Sequence, residues 1–144
     1  MTFEAHHGAY LVSDDPERVD VATVHRWLSE DSYWSRGRTR ETVERSIANS
    51  IPLGAYRGAA MIGFARVVTD RSTFAWLCDV FVAPDHRGAG VGKALVAAAV
   101  DHPDLTNIKR YVLATADAQD LYRQYGFELL DNPDRWMIRR GHTA

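Results

Sequence analysis

The stretch His86-Arg87-Gly88-Ala89-Gly90-Val91-Gly92-Lys93 decides how the rest of the chain is interpreted. It follows an apolar run and precedes residues rich in Ala, Leu and Val, which predicts a loop between a strand and a helix. Glycines allow backbone amides to approach a ligand closely, and these amides form an anion site with the N-terminus of the following helix. Arg87 and Lys93 add positive charge. The stretch therefore predicts a binding site for a phosphate or pyrophosphate.

Two other glycine-rich phosphate loops do not fit this sequence. A P-loop needs glycine where Arg87 stands, and Ser or Thr where Ala94 stands. A Rossmann loop needs a third glycine in place of Lys93. It normally follows the first strand of the sheet, whereas this loop lies beyond the middle of the chain. A structural turn that only caps a helix is the remaining alternative.

Length and composition exclude several classes of protein. The 144 residues are 46% hydrophobic and 25% charged, which is typical of a globular protein, and no repeat or linker interrupts them, so we expect one domain over residues 1–144. The net charge of −2 gives no support for nucleic-acid binding. The longest apolar runs are far shorter than the roughly 20 residues of a membrane span. A single cysteine, Cys78, excludes an intramolecular disulfide framework and favours the reducing cytoplasm.

Hydrophobic periodicity and turn residues predict a mixed α/β sheet with the element order β-α-α-β-β-β-α-β-α-β-β. The first helix is expected to start at Asp14-Asp15-Pro16-Glu17, and the second at a Thr39 cap, with Val43 and Ile47 inside and Pro52 ending it. A third follows the glycine-rich loop as far as Asp101, and a fourth, with Leu121 and Tyr122, stops at Gly126. The predicted strands are 7–12, 53–56, 61–68, 74–82, 110–114, 127–130 and 136–138.

Two motifs together resemble one family. Arg87-Gly88-Ala89-Gly90-Val91-Gly92 matches the Gln/Arg-x-x-Gly-x-Gly/Ala pattern of the GNAT superfamily of acyl-CoA-dependent N-acetyltransferases, and residues 79–85 resemble its fourth strand. Leu121-Tyr122-Arg123-Gln124-Tyr125-Gly126-Phe127 is similar to its C-terminal Leu-Tyr-x-x-x-Gly-Phe element. The resemblance covers nearly the whole chain. It implies the GNAT fold, a mostly antiparallel sheet of about six to seven strands with about four helices, splayed between the fourth and fifth strands.

The resemblance implies acetyl-CoA as co-substrate. In the family, the pyrophosphate lies on the glycine-rich loop and the pantetheine arm runs beside the fourth strand. At residue 115 many relatives carry Asn, where this chain has Thr115. The expected cofactor contacts are Phe81, Val82, Arg87, Gly88, Ala89, Gly90, Val91, Gly92, Lys93 and Thr115.

The resemblance also implies roles in catalysis. Tyr122 matches the family's general acid, which protonates the leaving thiolate. Asp79 lies in an apolar strand, where burial would raise its pKa and make it a general base, although a hydrogen-bonded structural acid is an equal alternative. Trp34 and Arg38 belong to a segment that lines the acceptor side in the family. Arg38 is expected to pair with either an acceptor carboxylate or an internal acid.

The chain is thus expected to be an N-acetyltransferase that works by direct attack of an amine in a ternary complex. Its acceptor is a small molecule or a peptide, and no nucleic acid, membrane or metal is expected to take part. A homodimer is a further expectation. The alternative function is a non-catalytic acyl-CoA-binding regulatory module.

Overall fold

A computed structural model describes residues 2–141, in which six strands form one sheet in sequence order. The helices lie before the third strand and on either side of the sixth. The strands are β1 (Glu4–His7), β2 (Tyr10–Ser13), β3 (Ile51–Arg57), β4 (Ala60–Thr69), β5 (Phe74–Val82) and β6 (Arg110–Val112), and the α-helices are α1 (Val21–Arg26), α2 (Arg40–Ala48), α3 (Val91–Asp101) and α4 (Gln119–Arg123).

Strand pairing confirms a mixed, mostly antiparallel sheet. Strands β1 to β5 pair antiparallel with their neighbours, and β6 pairs parallel to β5 because α3 carries the chain back across the sheet. The β5–β6 register covers only Phe74↔Arg110 to Trp76↔Val112. From Leu77 onward β5 has no described partner on that side, so the sheet opens between β5 and β6. These two strands are the predicted fourth and fifth.

The core forms on both faces of the sheet. On one face, α3 buries Leu95, Val96 and Ala99 against the strands. On the other, α1 and α2 pack Val24 and Val43 in a smaller cluster with Phe64 and Phe81. Helices α1 and α2 therefore lie on the opposite face of the sheet from α3.

Several local predictions are confirmed. Thr39 caps α2, since its hydroxyl accepts a hydrogen bond from the Thr42 amide at 3.2 Å, and Val43 and Ile47 lie on the buried face. Strand β5 spans 74–82 and α3 ends at Asp101, as predicted. However, α2 ends at Ala48, and Pro52 lies inside β3.

Three other predictions were wrong. Residues 7–12 form two strands, because Gly8 (φ +60°) turns the chain between β1 and β2. Pro16–Arg18 is a single 3-10 turn, and α1 begins only after Asp20, whose carboxylate caps it. Segments 127–130 and 136–138 form no strand in the part of the chain that the structure describes, because neither pairs with the edge strand β6.

Candidate functional site

The glycine-rich loop presents backbone amides at the start of α3. Gly88 (φ +78°) and Gly90 (φ +89°) take a left-handed conformation that other residues rarely adopt. No side chain within residues 2–141 caps α3, so its first amides have no capping partner. Gly88, Ala89 and Lys93 are exposed, Val91 is buried, and Gly92 lies beside Val82. This arrangement fits a phosphate group, since an uncapped helix N-terminus attracts anions.

Arg87 ties the loop to the end of β5. Its Nε donates to the Val82 carbonyl oxygen at 3.0 Å, and its guanidinium lies 5.2 Å from the centre of the Phe81 ring. The expected pyrophosphate residues and the expected pantetheine strand are therefore brought together.

A bulge interrupts β5 just before these residues. Phe64 lies opposite Phe81, but Arg66 lies opposite Cys78, so Asp79 and Val80 share the space facing one β4 residue. Asp79 has φ +54°, which is rare for a residue other than glycine. The bulge lies on the stretch of β5 that has lost its β6 partner.

The buried carboxylate of Asp79 is the centre of a polar cluster. Its Oδ1 accepts from Trp34 Nε1 at 3.0 Å, and its Oδ2 accepts from Arg38 Nη1 at 2.8 Å and from Arg66 Nε at 2.6 Å. The side chain is only 2% exposed. We name Trp34, Arg38, Arg66 and Asp79 the Asp79 cluster.

The Asp79 cluster corrects the expected pKa of its carboxyl group. Burial raises the pKa of Asp79, but the charges of Arg66 and Arg38 and the hydrogen bonds of Arg66 and Trp34 outweigh it and hold the pKa below its usual value. Of the two partners considered for Arg38, the structure contains the internal acid. A carboxylate held in this way is a weaker base than the sequence suggested.

Tyr33 links the Asp79 cluster to the other side of the opening. Its ring packs edge to face on Trp34 at 5.0 Å, and its hydroxyl accepts from the Ala116 amide at 3.3 Å. Tyr122 on α4 is buried, and burial followed by the proximity of Tyr33 and Asp117 raises the pKa of its phenol. The α1–α2 connection thus bridges β5 and the β6–α4 connection.

Thr115 and Tyr122 also line a cavity of about 840 Å³, whose wall includes residues of both β5 and β6. The Thr115 hydroxyl accepts from the Ala118 amide at 3.1 Å, so it supports the start of α4. Trp136 and Met137 of the C-terminal segment form part of the wall. Neither the glycine-rich loop nor Asp79 lines this cavity.

Two residues of this region were missed by sequence reasoning. Arg66 carried a usable signal, because it is the single charged residue in an apolar strand. The next strand along the chain is also apolar and contains a single acid, Asp79. Tyr33 gave none, since its partner Ala116 lies 83 residues away and contributes only a backbone amide.

Two classes of feature are missing from residues 2–141. They contain no group of three or more His, Cys, Asp or Glu side chains arranged to hold a metal ion. Their helices are all too short or too polar to cross a membrane.

Comparison with known proteins agrees with this architecture. Residues 21–127 match the model of the acetyltransferase (GNAT) family. A GNAT-family crystal structure from Xanthomonas campestris is 40% identical, with a TM-score of 0.89 over 96% of both chains. A Gibberella zeae protein named as an acetyltransferase is 27% identical over 80% of this chain and 76% of its own. A Clostridium acetobutylicum acetyltransferase structure containing acetyl-CoA shares the fold, at 16% identity and a TM-score of 0.66 over 99% of this chain and all of the other. Because the matched residues span most of the chain, it belongs to the GNAT acetyltransferase family.

Proposed function

We propose that this acetyltransferase moves an acetyl group from acetyl-CoA to an amine by direct attack within a ternary complex. The observation that carries the proposal is the junction of three features: the open edge of β5, the bulge at Asp79 and the uncapped N-terminus of α3. The pantetheine arm of acetyl-CoA needs the open edge of β5, and its pyrophosphate needs the uncapped N-terminus of α3. Acyl transfer needs the bulge.

The loop would hold the pyrophosphate. Amides of Gly88, Ala89, Gly90, Val91 and Gly92 offer hydrogen bonds, and Lys93 and Arg87 supply positive charge. Phe81 and Val82 would bind the pantetheine arm through their backbone, as an added strand binds a sheet edge. Thr115 stands across the opening, where its hydroxyl can still donate a hydrogen bond while accepting from Ala118.

Acetyl-CoA, when bound, supplies an activated thioester. A backbone amide at the Asp79–Val80 bulge would polarise the carbonyl, because a bulge frees amides from the ladder. Tyr122 would then donate its phenolic proton to the thiolate that leaves. Burial keeps that phenol protonated beyond its usual pKa, so the proton is available at neutral pH.

Asp79 would act as a positioning residue and not as the base. It holds Trp34 and Arg38 of the α1–α2 connection against β5, and Arg66 holds it in turn. With the pKa of Asp79 below its usual value, the amine would enter neutral or lose its proton to water. This is the structural alternative considered for Asp79 in the sequence.

The test is thiol release from acetyl-CoA across a panel of amines, beside calorimetric titration with CoA. Gly90→Glu places a negative charge in the loop and should abolish both signals. Gly58→Glu is the matched control, because Gly58 also has positive φ (+60°) but lies in the β3–β4 turn. CoA binding without turnover on any amine would support the non-catalytic module instead. Absence of CoA binding would contradict both functions.

A second copy of the chain would cover the C-terminal segment. Large apolar side chains stand exposed there, and β6 offers a free edge beside them. The segment is also complementary to itself, since Glu128, Asp131 and Asp134 precede Arg135, Arg139 and Arg140, so two antiparallel copies would oppose acids to bases. The exposed apolar residues of this segment are Leu129, Leu130, Trp136, Met137 and Ile138, and Trp76 of β5 is exposed as well.

A cytoplasmic location is proposed because a chain with a single cysteine forms no intramolecular disulfide. Cys78 is partly buried, and burial raises the pKa of its thiol to about 11, which leaves it mostly protonated and unreactive at neutral pH.

A further inference from the structure

Two guanidinium groups share one carboxylate in the Asp79 cluster. Arg38 and Arg66 both donate to the same Asp79 oxygen. Within residues 2–141, no other carboxylate lies within 4.0 Å of either guanidinium. The arginine side chains are only 21% and 14% exposed. The cluster therefore carries one positive charge that no protein group neutralises, in a place where solvent screening is weak.

Both arginines keep unused donors. A guanidinium has five N–H groups, and each of these arginines spends only part of its set on Asp79. Among the described residues, every fully buried side-chain nitrogen or oxygen has a hydrogen-bond partner. The nitrogens of Arg38 and Arg66 that lack a partner are therefore at least partly exposed to solvent.

The open donors lie beside the bulge in β5. Arg66 is opposite Cys78, next to Asp79, and the partly exposed ring of Trp34 covers the cluster from the α1–α2 connection. Planar guanidinium groups match the two oxygens of a carboxylate in distance and direction. An excess positive charge and open N–H groups in a half-buried place are the features that recognise such an anion.

We propose that Arg38 and Arg66 bind a carboxylate of a substrate next to the group that is transferred. The inference rests on the proposed function. The expected source is the acceptor, which would then be an amine that also bears a carboxylate, such as an amino acid. The other source is an acyl donor whose chain ends in a carboxylate.

The experiment compares substrates that carry this carboxylate with substrates that lack it. α- and ω-amino acids are assayed beside their carboxamides with acetyl-CoA, and succinyl-CoA is assayed beside butyryl-CoA. The enzyme variants are Arg38→Gln, Arg66→Gln and the conservative Arg66→Lys. Arg45→Gln is the matched control, because Arg45 is a highly exposed residue on α2. Circular dichroism and thermal melting identify any variant that fails to fold.

The wild-type protein should prefer the carboxylate by about tenfold or more in kcat/KM, the effect of one charge-assisted hydrogen bond. In each Gln variant the rate with the carboxylate should fall more than the rate with the carboxamide, so that the ratio of the two rates approaches one, and Arg66→Lys should restore part of the preference. A purely structural role would lower both rates together and keep their ratio. A preference in the amino-acid arm identifies the acceptor as the source, and one in the succinyl arm identifies the donor.

A binding measurement separates this inference from the proposed function. CoA-saturated protein is titrated calorimetrically with the amino acids and with their carboxamides. Selective binding of carboxylates that Arg66→Gln removes would support the inference even if no amine were acetylated. Equal affinity for the amino acids and their carboxamides would exclude the acceptor as the source. If the affinities for succinyl-CoA and butyryl-CoA were also equal, or if any preference survived in both Gln variants, the inference would be overturned whether or not the protein turns over.

Discussion

Replacing Asp79 with asparagine tests whether its ionised carboxylate holds the α1–α2 connection on the sheet. The substitution keeps the size of the side chain and an oxygen for the Trp34 indole, but it removes the charge that two guanidiniums share. Removing one partner of a buried ion pair costs about 3–5 kcal/mol. Because Arg38 and Arg66 are partly exposed, we expect the lower end, about 3 kcal/mol.

Thermal and urea unfolding measure this loss directly. A change of about 3 kcal/mol corresponds to a fall in Tm of roughly 10 °C for a domain of this length. Asp120→Asn is the matched control, since that carboxylate pairs with Arg123 at the surface with its side chain almost fully exposed, and it should unfold like the wild type.

The pH dependence of the stability provides a second test. The pKa of Asp79 is lowered by folding from its usual 3.8, so its stabilisation is fully present above that pH and is lost as the pH falls below it. The gap between wild type and Asp79→Asn should therefore close in acid. A loss under about 1 kcal/mol at neutral pH, or a gap that stays constant into acid, would refute the ionised cluster.

Three further outcomes follow from the structure. Tyr122→Phe should lower kcat by about a hundredfold without changing calorimetric affinity for CoA. Tyr125→Phe, on the same segment, should leave kcat unchanged. Thr115→Val removes the acceptor of the Ala118 amide and should cost about 1 kcal/mol in urea unfolding, without loss of the fold. Met137→Asp should convert a dimer to a monomer in light scattering, because Met137 is 96% exposed beside the apolar segment, while Ala59→Asp in the β3–β4 turn should leave the mass unchanged.

The sequence predicted best where short-range signals decide the structure. Strand β5, α3 and the Thr39 cap each depend on residues within a few positions of one another, and their bounds or contacts agree with the structure. The glycine-rich loop belongs to the same class, since positive φ at Gly88 and Gly90 follows from the residue type.

The bulge at Asp79 could not be predicted in this way. Period-two alternation puts Leu77, Asp79 and Phe81 on one face of β5. In the structure, Leu77 packs in the cluster under α3 and Phe81 in the cluster under α1 and α2, because the extra residue at the bulge exchanges the two faces. An aspartate at positive φ carries no mark in the sequence. The prediction of a raised pKa for Asp79 was wrong for a related reason, because Arg66 lies beside Asp79 only in this strand register.

The C-terminal segment shows what an apolar pattern does and does not specify. The side chains at 127–130 and 136–138 predicted strands because they are of types that need burial, but a strand also needs an edge that accepts its hydrogen bonds. Strand β6, at the edge of the sheet, is three residues long and takes up neither segment in the described chain. The pattern thus indicates that Leu129, Met137 and Ile138 favour burial, but it does not identify the surface that buries them. In the proposed homodimer, a second copy would supply an apolar surface and opposite charges at once, which a solvent-exposed segment of one chain cannot.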